Sequence, residues 1–171
     1  MKTPAALRPV IDDGVIDEVI RSLKSGKEAT VYLVRAWAHM RCAKVYRDMR
    51  QRSFQKRVAG VRVPKPYGYF NDALIMELVT DAAGDPAPRL GEVDLPAETT
   101  REFHRLLVQQ IVRMLSVGLI HGDLSEFNVL VGPDGPGIID LPQAVNAAAS
   151  NGALAMLERD VHNIRGTLRP R

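Results

Sequence analysis

Two short apolar runs, Val129-Leu130-Val131 and Gly137-Ile138-Ile139, flank Pro133-Asp134-Gly135. Strand-prone residues on either side of a proline-glycine turn read as a hairpin. A hairpin brings its outer ends together. Asn128 immediately precedes the first strand and Asp140 ends the second, so an amide oxygen and a carboxylate become neighbours. Two hard oxygen donors at one place suit a divalent cation. Asp123 lies five positions before Asn128, on the loop feeding the hairpin. It can face the same site without being a metal ligand.

The remaining chain divides around residue 80. Asp12 and Asp13 are candidate caps for a short helix running to about Leu23, with Val15, Ile16, Val19, Ile20 and Leu23 on its inner side. Thr30-Val31-Tyr32-Leu33-Val34 is β-branched and aromatic and reads as a strand, with Cys42-Ala43-Lys44-Val45-Tyr46 as its partner. Pro64 and Pro66 break the chain. Two further strands, Tyr67 to Phe70 and Ala73 to Leu78, follow around a turn at Asn71-Asp72. Asp81 to Pro96 is rich in proline and glycine and reads as irregular. From Ala97 to Val117 apolar residues recur at spacings of three and four, which predicts a helix. Gly118 sits where a helix C-terminal glycine belongs. A last helix is expected over about Ala153 to Ile164. Strands before residue 80 and helices after it give an α+β chain in two parts.

Composition narrows the class. Of 171 residues, 46% are apolar and 25% charged, as in an ordinary globular protein. No apolar run approaches the roughly 18 residues of a membrane span, and the first residues lack the apolar core of a secretory signal. One cysteine, Cys42, excludes an intrachain disulfide and suits a reducing cytoplasm. The expectation is therefore a soluble, cytoplasmic protein without a membrane partner. His39, His104 and His162 lack His or Cys partners at metal-ligand spacing, which argues against zinc. Net charge is only +3, yet the segment from Arg41 to Lys65 carries nine lysines and arginines against Asp48 alone. Such a run attracts phosphate, on ATP or on RNA, or forms a solvated face.

Phosphoryl transfer needs the three polar groups described above. A cation must neutralise phosphate charge, and a carboxylate must orient the attacking hydroxyl and take its proton. Asp123 through Asn128 followed by Asp140 resembles the catalytic loop and metal-binding aspartate of protein kinases. The finer resemblance is to RIO-type atypical kinases. His121-Gly122-Asp123-Leu124-Ser125-Glu126-Phe127-Asn128 resembles their catalytic loop. The segment from Ile138 to Val145 resembles their metal-binding segment, and Ser25-Gly26-Lys27-Glu28-Ala29-Thr30-Val31-Tyr32 their phosphate-binding loop.

That resemblance implies a two-lobed protein-kinase-like fold. The antiparallel-sheet N-lobe, with phosphate-binding loop and hinge, would span 1–79, and the mainly helical C-lobe 80–171. It implies an ATP- and Mg²⁺-dependent serine/threonine kinase or ATPase, Mn²⁺ being compatible. Asp123 would be the catalytic base, and Asn128 and Asp140 the metal ligands. Lys44 would hold the α- and β-phosphates, with Ser25, Gly26, Lys27 and Glu28 over the phosphates. Met76 would back the adenine pocket, and the backbone of Glu77 and Val79 would bond the base. Asp140 would also be a candidate phosphate acceptor. His121 would pack and hydrogen-bond beneath the loop rather than transfer protons. Family members serve small ribosomal subunit maturation, so the basic segment 41–65 would be a candidate ribosome or RNA contact; the protein substrate is unspecified.

The chain departs from this pattern between Lys44 and the hinge. A kinase pairs its strand lysine with a helix glutamate, yet residues 49–71 contain no Glu or Asp, and Arg47 to Gly60 is short for a basic loop plus a helix. Either the helix has been lost, or residues are absent at a junction near Arg57 to Ala59; the family-like flanks favour the junction. A small-molecule kinase of the aminoglycoside phosphotransferase type shares the His-Gly-Asp loop. A non-catalytic nucleotide- and RNA-binding module would also fit the basic run.

Overall fold

The computed structural model describes residues 3–47, 60–141 and 144–168. Arg57 to Ala59, Pro142, Gln143 and the last three residues lie outside these. The chain forms two compact units. Residues 3–47 and 64–78 belong to the first; 60–63, 79–141 and 144–168 belong to the second.

The first unit is a five-stranded antiparallel sheet preceded by a short helix, α1 (Arg8–Asp12). Its strands are β1 (Glu18–Ser25), β2 (Ala29–Ala36), β3 (His39–Tyr46), β4 (Pro66–Phe70) and β5 (Ala73–Glu77), in the order β1-β2-β3-β5-β4. Leu7, Val10 and Ile16 are buried with Val34, Ala43, Ala73 and Ile75 in one apolar cluster. The α1 segment thus supplies part of the core beside the sheet.

The helix expected from Asp12 to Leu23 is instead the end of α1, a turn through Gly14 at φ 71°, and β1. β1 pairs with β2 with register shifts between Val19 and Arg21 and between Ser22 and Lys24. Each bulge resets the alternation of a strand. Val19, Ile20 and Leu23 are therefore its partly buried residues, a spacing that imitates a helix.

The β2–β3 connection is a two-residue turn, Trp37-Ala38, with φ of 50° and 62°. Positive φ at both positions is the geometry that hairpin twist favours, but neither residue is glycine. Trp37 meets the rings of Tyr67 and Phe70 edge-on at 6.3 Å, and Ala38 N–H donates to Asp17 Oδ2 at 3.3 Å. These contacts offset the backbone cost. Asn71-Asp72 makes the same kind of turn between β4 and β5, with φ of 43° and 68°.

The second unit is built on α2 (Ala97–Ser116), whose Phe103, Leu107, Ile111 and Met114 are buried. Thr100 returns both its N–H and its hydroxyl to Pro96 O, at 2.8 and 3.0 Å. Gly118, at φ 71°, ends the helix as its sequence position predicts. The strands β6 (Leu119–Ile120), β7 (Val129–Gly132), β8 (Gly135–Ile138) and β9 (Val145–Asn146) form two small antiparallel pairs, β6-β9 and β7-β8. The last helix, α3 (Ala153–Thr167), adds Ile164 to the core around α2, and Val61 joins the same core. No described helix is long and apolar enough to cross a membrane.

Ala38 is exposed and bonded through its backbone. Ala38→Gly removes a left-handed penalty without removing a packed side chain. It is expected to stabilise the first unit by about 1 kcal/mol, read as a higher urea midpoint at constant m-value.

Candidate active site

The β7–β8 hairpin pairs Val129 with Ile138, Leu130 with Gly137 and Val131 with Pro136. Val129 and Ile138 are fully buried, so the outer end of the hairpin is anchored in the core. Asn128 and Asp140 lie just beyond that end. The peptide groups of Ile139 connect them to the loop. Ile139 N–H donates to Asn128 O at 2.9 Å. Ile139 O is bonded at 2.9 Å to Nε2 of His121, a residue only 1% exposed. The other ring nitrogen, Nδ1, accepts from Asp123 N–H at 3.3 Å. A carbonyl can only accept, so the proton sits on Nε2 and the ring is the neutral tautomer.

Asn128 is a loop brace as well as a candidate ligand. Its Nδ2 donates to Asp123 O at 2.8 Å and approaches Asp123 Oδ2 at 3.4 Å. Neither contact uses Oδ1, the atom a hard cation would take. Asp140 has φ 69°, a left-handed conformation that Asp tolerates better than most residues. This residue therefore leaves the strand direction immediately after the hairpin. Asp123 is exposed while Leu124 beside it is fully buried: the loop is pinned by the leucine and presents the carboxylate to solvent.

The loop has a second support that sequence reasoning missed. Asp160, on α3, is 2% exposed. Its Oδ2 accepts from Gly122 N–H and its Oδ1 from Leu124 N–H, both at 2.8 Å. Arg159 donates to Gly122 O, and Asn163 Nδ2 to Leu124 O at 3.0 Å. One turn further on, Thr167 Oγ1 donates to Glu126 Oε2 at 3.1 Å. One face of α3 thus grips the backbone on both sides of Asp123. The available signal was an acid on the inward stripe Leu157, Asp160, Val161, Ile164: a carboxylate there must find donors. Gly91 also matters, because a Cβ there would lie 2.8 Å from Glu126 Cγ. The segment leading to α2 approaches the loop too closely for a side chain.

The other expected site residues lie on the first unit, except Val79. Lys44 is central in β3, between Val31 of β2 and Leu74 of β5. Its Nζ is 5.2 Å from the centre of the Tyr46 ring. Ser25, Gly26, Lys27 and Glu28 form the exposed β1–β2 turn, closed by Gly26 N–H to Ala29 O at 2.9 Å. Met76 pairs with Cys42 across β3–β5. Glu77 N–H donates to Lys65 O, and Lys65 N–H to Glu77 Oε2, at 2.8 and 3.0 Å. Val79 belongs to the second unit, where its carbonyl accepts from Ala87 N–H at 2.9 Å. Burial pushes the Cys42 thiol up to about 12, which removes it as a nucleophile. The stretch in which a helix carboxylate for Lys44 would fall, 48–59, is outside the described residues.

Among the described residues no three His, Cys, Asp or Glu cluster as a metal site. The donors at the hairpin end are instead one carboxylate and one amide oxygen. That all-oxygen pair fits a hard cation that also takes phosphate oxygens, and does not fit zinc.

Comparison with known proteins agrees with this geometry. The RIO domain family model matches residues 19–171. RIO-type serine/threonine-protein kinase Rio1 of Haloferax volcanii is 36% identical over 137 residues, covering 80% of this chain and 43% of that protein. Rio2 of Methanocaldococcus jannaschii is 34% identical over 106 residues, covering 61% and 38%. Rio1 of Thermoplasma acidophilum is 34% identical over 106 residues, covering 62% and 53%. The chain therefore spans about half the length, or less, of these relatives. A kinase domain solved by crystallography matches with a TM-score of 0.64, over 90% of this chain and 62% of its own, at 15% identity. That likeness speaks for the fold alone. With the antiparallel sheet and the helices of the second unit, it makes the fold kinase-like α+β, and the chain belongs to the RIO domain family.

Proposed function

We propose that this chain is the catalytic module of a RIO-type serine/threonine protein kinase that uses ATP and Mg²⁺. The observation that carries the reading is the doubly bonded Ile139 peptide. It joins Asn128 on one side and the His121–Asp123 loop on the other, with Asp140 next in sequence. Such a link brings a base and two oxygen ligands into one rigid frame, as phosphoryl transfer requires.

In this reading Asp123 accepts the proton of the attacking serine or threonine hydroxyl. His121 and Asn128 hold Asp123 by its N–H and its carbonyl, and Asn128 Nδ2 also reaches one carboxylate oxygen at 3.4 Å, which leaves the other to take the proton. Asn128 Oδ1 and the Asp140 carboxylate hold the cation. When bound, Mg²⁺ neutralises the phosphate oxygens. Lys44 takes the α- and β-phosphates, and the Ser25–Glu28 turn covers them. Met76 backs the adenine. The backbone of Glu77 and Val79 bonds the base.

The lobe organisation 1–79 and 80–171, a cytoplasmic setting suited to the single buried cysteine, and phosphate or RNA contact through segment 41–65 belong to the same proposal. The acceptor class rests on the relatives' names, which specify serine/threonine kinases. Phosphate transfer to Asp140, with water completing an ATPase cycle, is the variant of this chemistry that the site also permits.

ATP turnover of the wild type is expected to require Mg²⁺. Asp123→Asn should lower it by about 10²-fold or more, and Asp140→Asn should remove the metal dependence along with most of the rate. Equal rates in all three proteins, with and without Mg²⁺, would sink the mechanism. Asp160→Asn keeps the shape of the side chain but sets an amide donor against a loop N–H. It is expected to cost about 2 kcal/mol in urea unfolding and to slow turnover at saturating ATP. Wild-type stability in that variant would mean α3 does not hold the loop.

A further inference from the structure

The strand register places Arg47 at the phosphate turn. Tyr46, the last residue of β3, pairs with Ala29 of β2, so Arg47 just beyond it lies level with the turn. Arg47 N–H donates to Glu28 O at 2.9 Å. Its side chain crosses the end of β2 to β1, where Nη2 donates to Ser25 Oγ at 3.2 Å. Ser25 Oγ also lies 3.3 Å from Thr30 Oγ1. One residue therefore ties both feet of the turn, with Gly26 and Lys27 between the attachments.

We infer that Arg47 is a nucleotide-binding residue that fixes the Ser25–Glu28 turn and takes a phosphate oxygen of the bound nucleotide through its guanidinium. This deepens the kinase reading and rests on it. A guanidinium has five N–H donors in a fixed fork, and the bond to Ser25 uses one. A serine hydroxyl is a neutral acceptor, whereas a phosphate oxygen is charged and takes guanidinium in pairs of bonds. Arg47 is exposed, so a ligand can reach it without rearrangement of the core. Lys27 adds a second cation on the turn itself, and Lys44 of β3 is the expected phosphate lysine. Arg47 is thus the member of the basic run that meets the Ser25–Glu28 turn, and its chemistry is that of a polyphosphate site.

The test is equilibrium binding of ATP and of adenosine, each with Mg²⁺, to the full chain and to Arg47→Ala, Arg47→Lys and Ser25→Ala. Arg47→Ala is expected to weaken ATP about tenfold and to leave adenosine unchanged. Arg47→Lys keeps the charge but loses the fork and should fall between. Ser25→Ala, which removes the turn acceptor but not the cation, should weaken ATP less than Arg47→Ala. An equal loss for ATP and adenosine in Arg47→Ala would make the residue a structural strut, and unchanged ATP affinity would make it a bystander; either overturns the inference. If Arg47→Ala does not fold, Arg47→Lys decides: a loss selective for ATP supports the assignment, and none overturns it. A wild-type chain that binds adenosine and ATP equally removes the phosphate site and with it the kinase reading, an outcome distinct from failure of Arg47 alone.

Discussion

Ile139 uses both of its backbone groups to hold other parts of the site. Its N–H goes to Asn128 and its carbonyl to His121. Ile139 is half-buried and His121 is buried, and a polar group that loses its partner away from water costs about as much as a lost hydrogen bond. The arrangement needs a neutral histidine, because the carbonyl requires a donor at Nε2 and Asp123 N–H requires an acceptor at Nδ1. A leucine of similar bulk would fill the space and lose both. The residue expected to pack and hydrogen-bond beneath the loop does both, and its two bonds set the loop's geometry.

Around this point the second unit supplies stiffness from two directions. The hairpin is fixed by burial of Val129 and Ile138. The loop is fixed by α3, where Asp160 takes two N–H groups and Arg159 and Asn163 take two carbonyls. A buried carboxylate is tolerable when its lone pairs are filled in this way. Nearly every polar backbone group next to Asp123 thus has a named partner, while among the described residues the aspartate's exposed carboxylate meets only Asn128 Nδ2, at 3.4 Å.

Legibility in the sequence followed the range of the interactions. The β7–β8 hairpin, α2 and the Asn71-Asp72 turn were readable because their signals are local: a Pro-Gly turn, a repeat of three and four, two turn-forming residues. The stretch before β1 misled because two bulges gave Val19, Ile20 and Leu23 a helical spacing. Asp160 was missed because it meets the loop from 36 residues beyond Leu124, and only its position on an apolar stripe hinted at a buried partner. Asp123, Asn128 and Asp140 were legible as candidates through a motif resemblance, and the hairpin that brings Asn128 and Asp140 to one end is a local signal. The Trp37-Ala38 turn was not readable, since its composition contradicts the usual residue preferences for positive φ and its supports, the ring contacts of Trp37 and the Ala38–Asp17 bond, come from distant residues.

The grip of α3 on the loop also makes the loop's amides reporters on the helix. Gly122 N–H and Leu124 N–H point into a carboxylate that belongs to a different segment, so solvent reaches them only when α3 lifts away or the whole unit opens. Their exchange with deuterium should then share one opening free energy with the core amides of α3. Two loop positions that lie beside an exposed aspartate would be among the slowest in the unit, and the His121–Asn128 loop would behave, in its fluctuations, as part of the last helix.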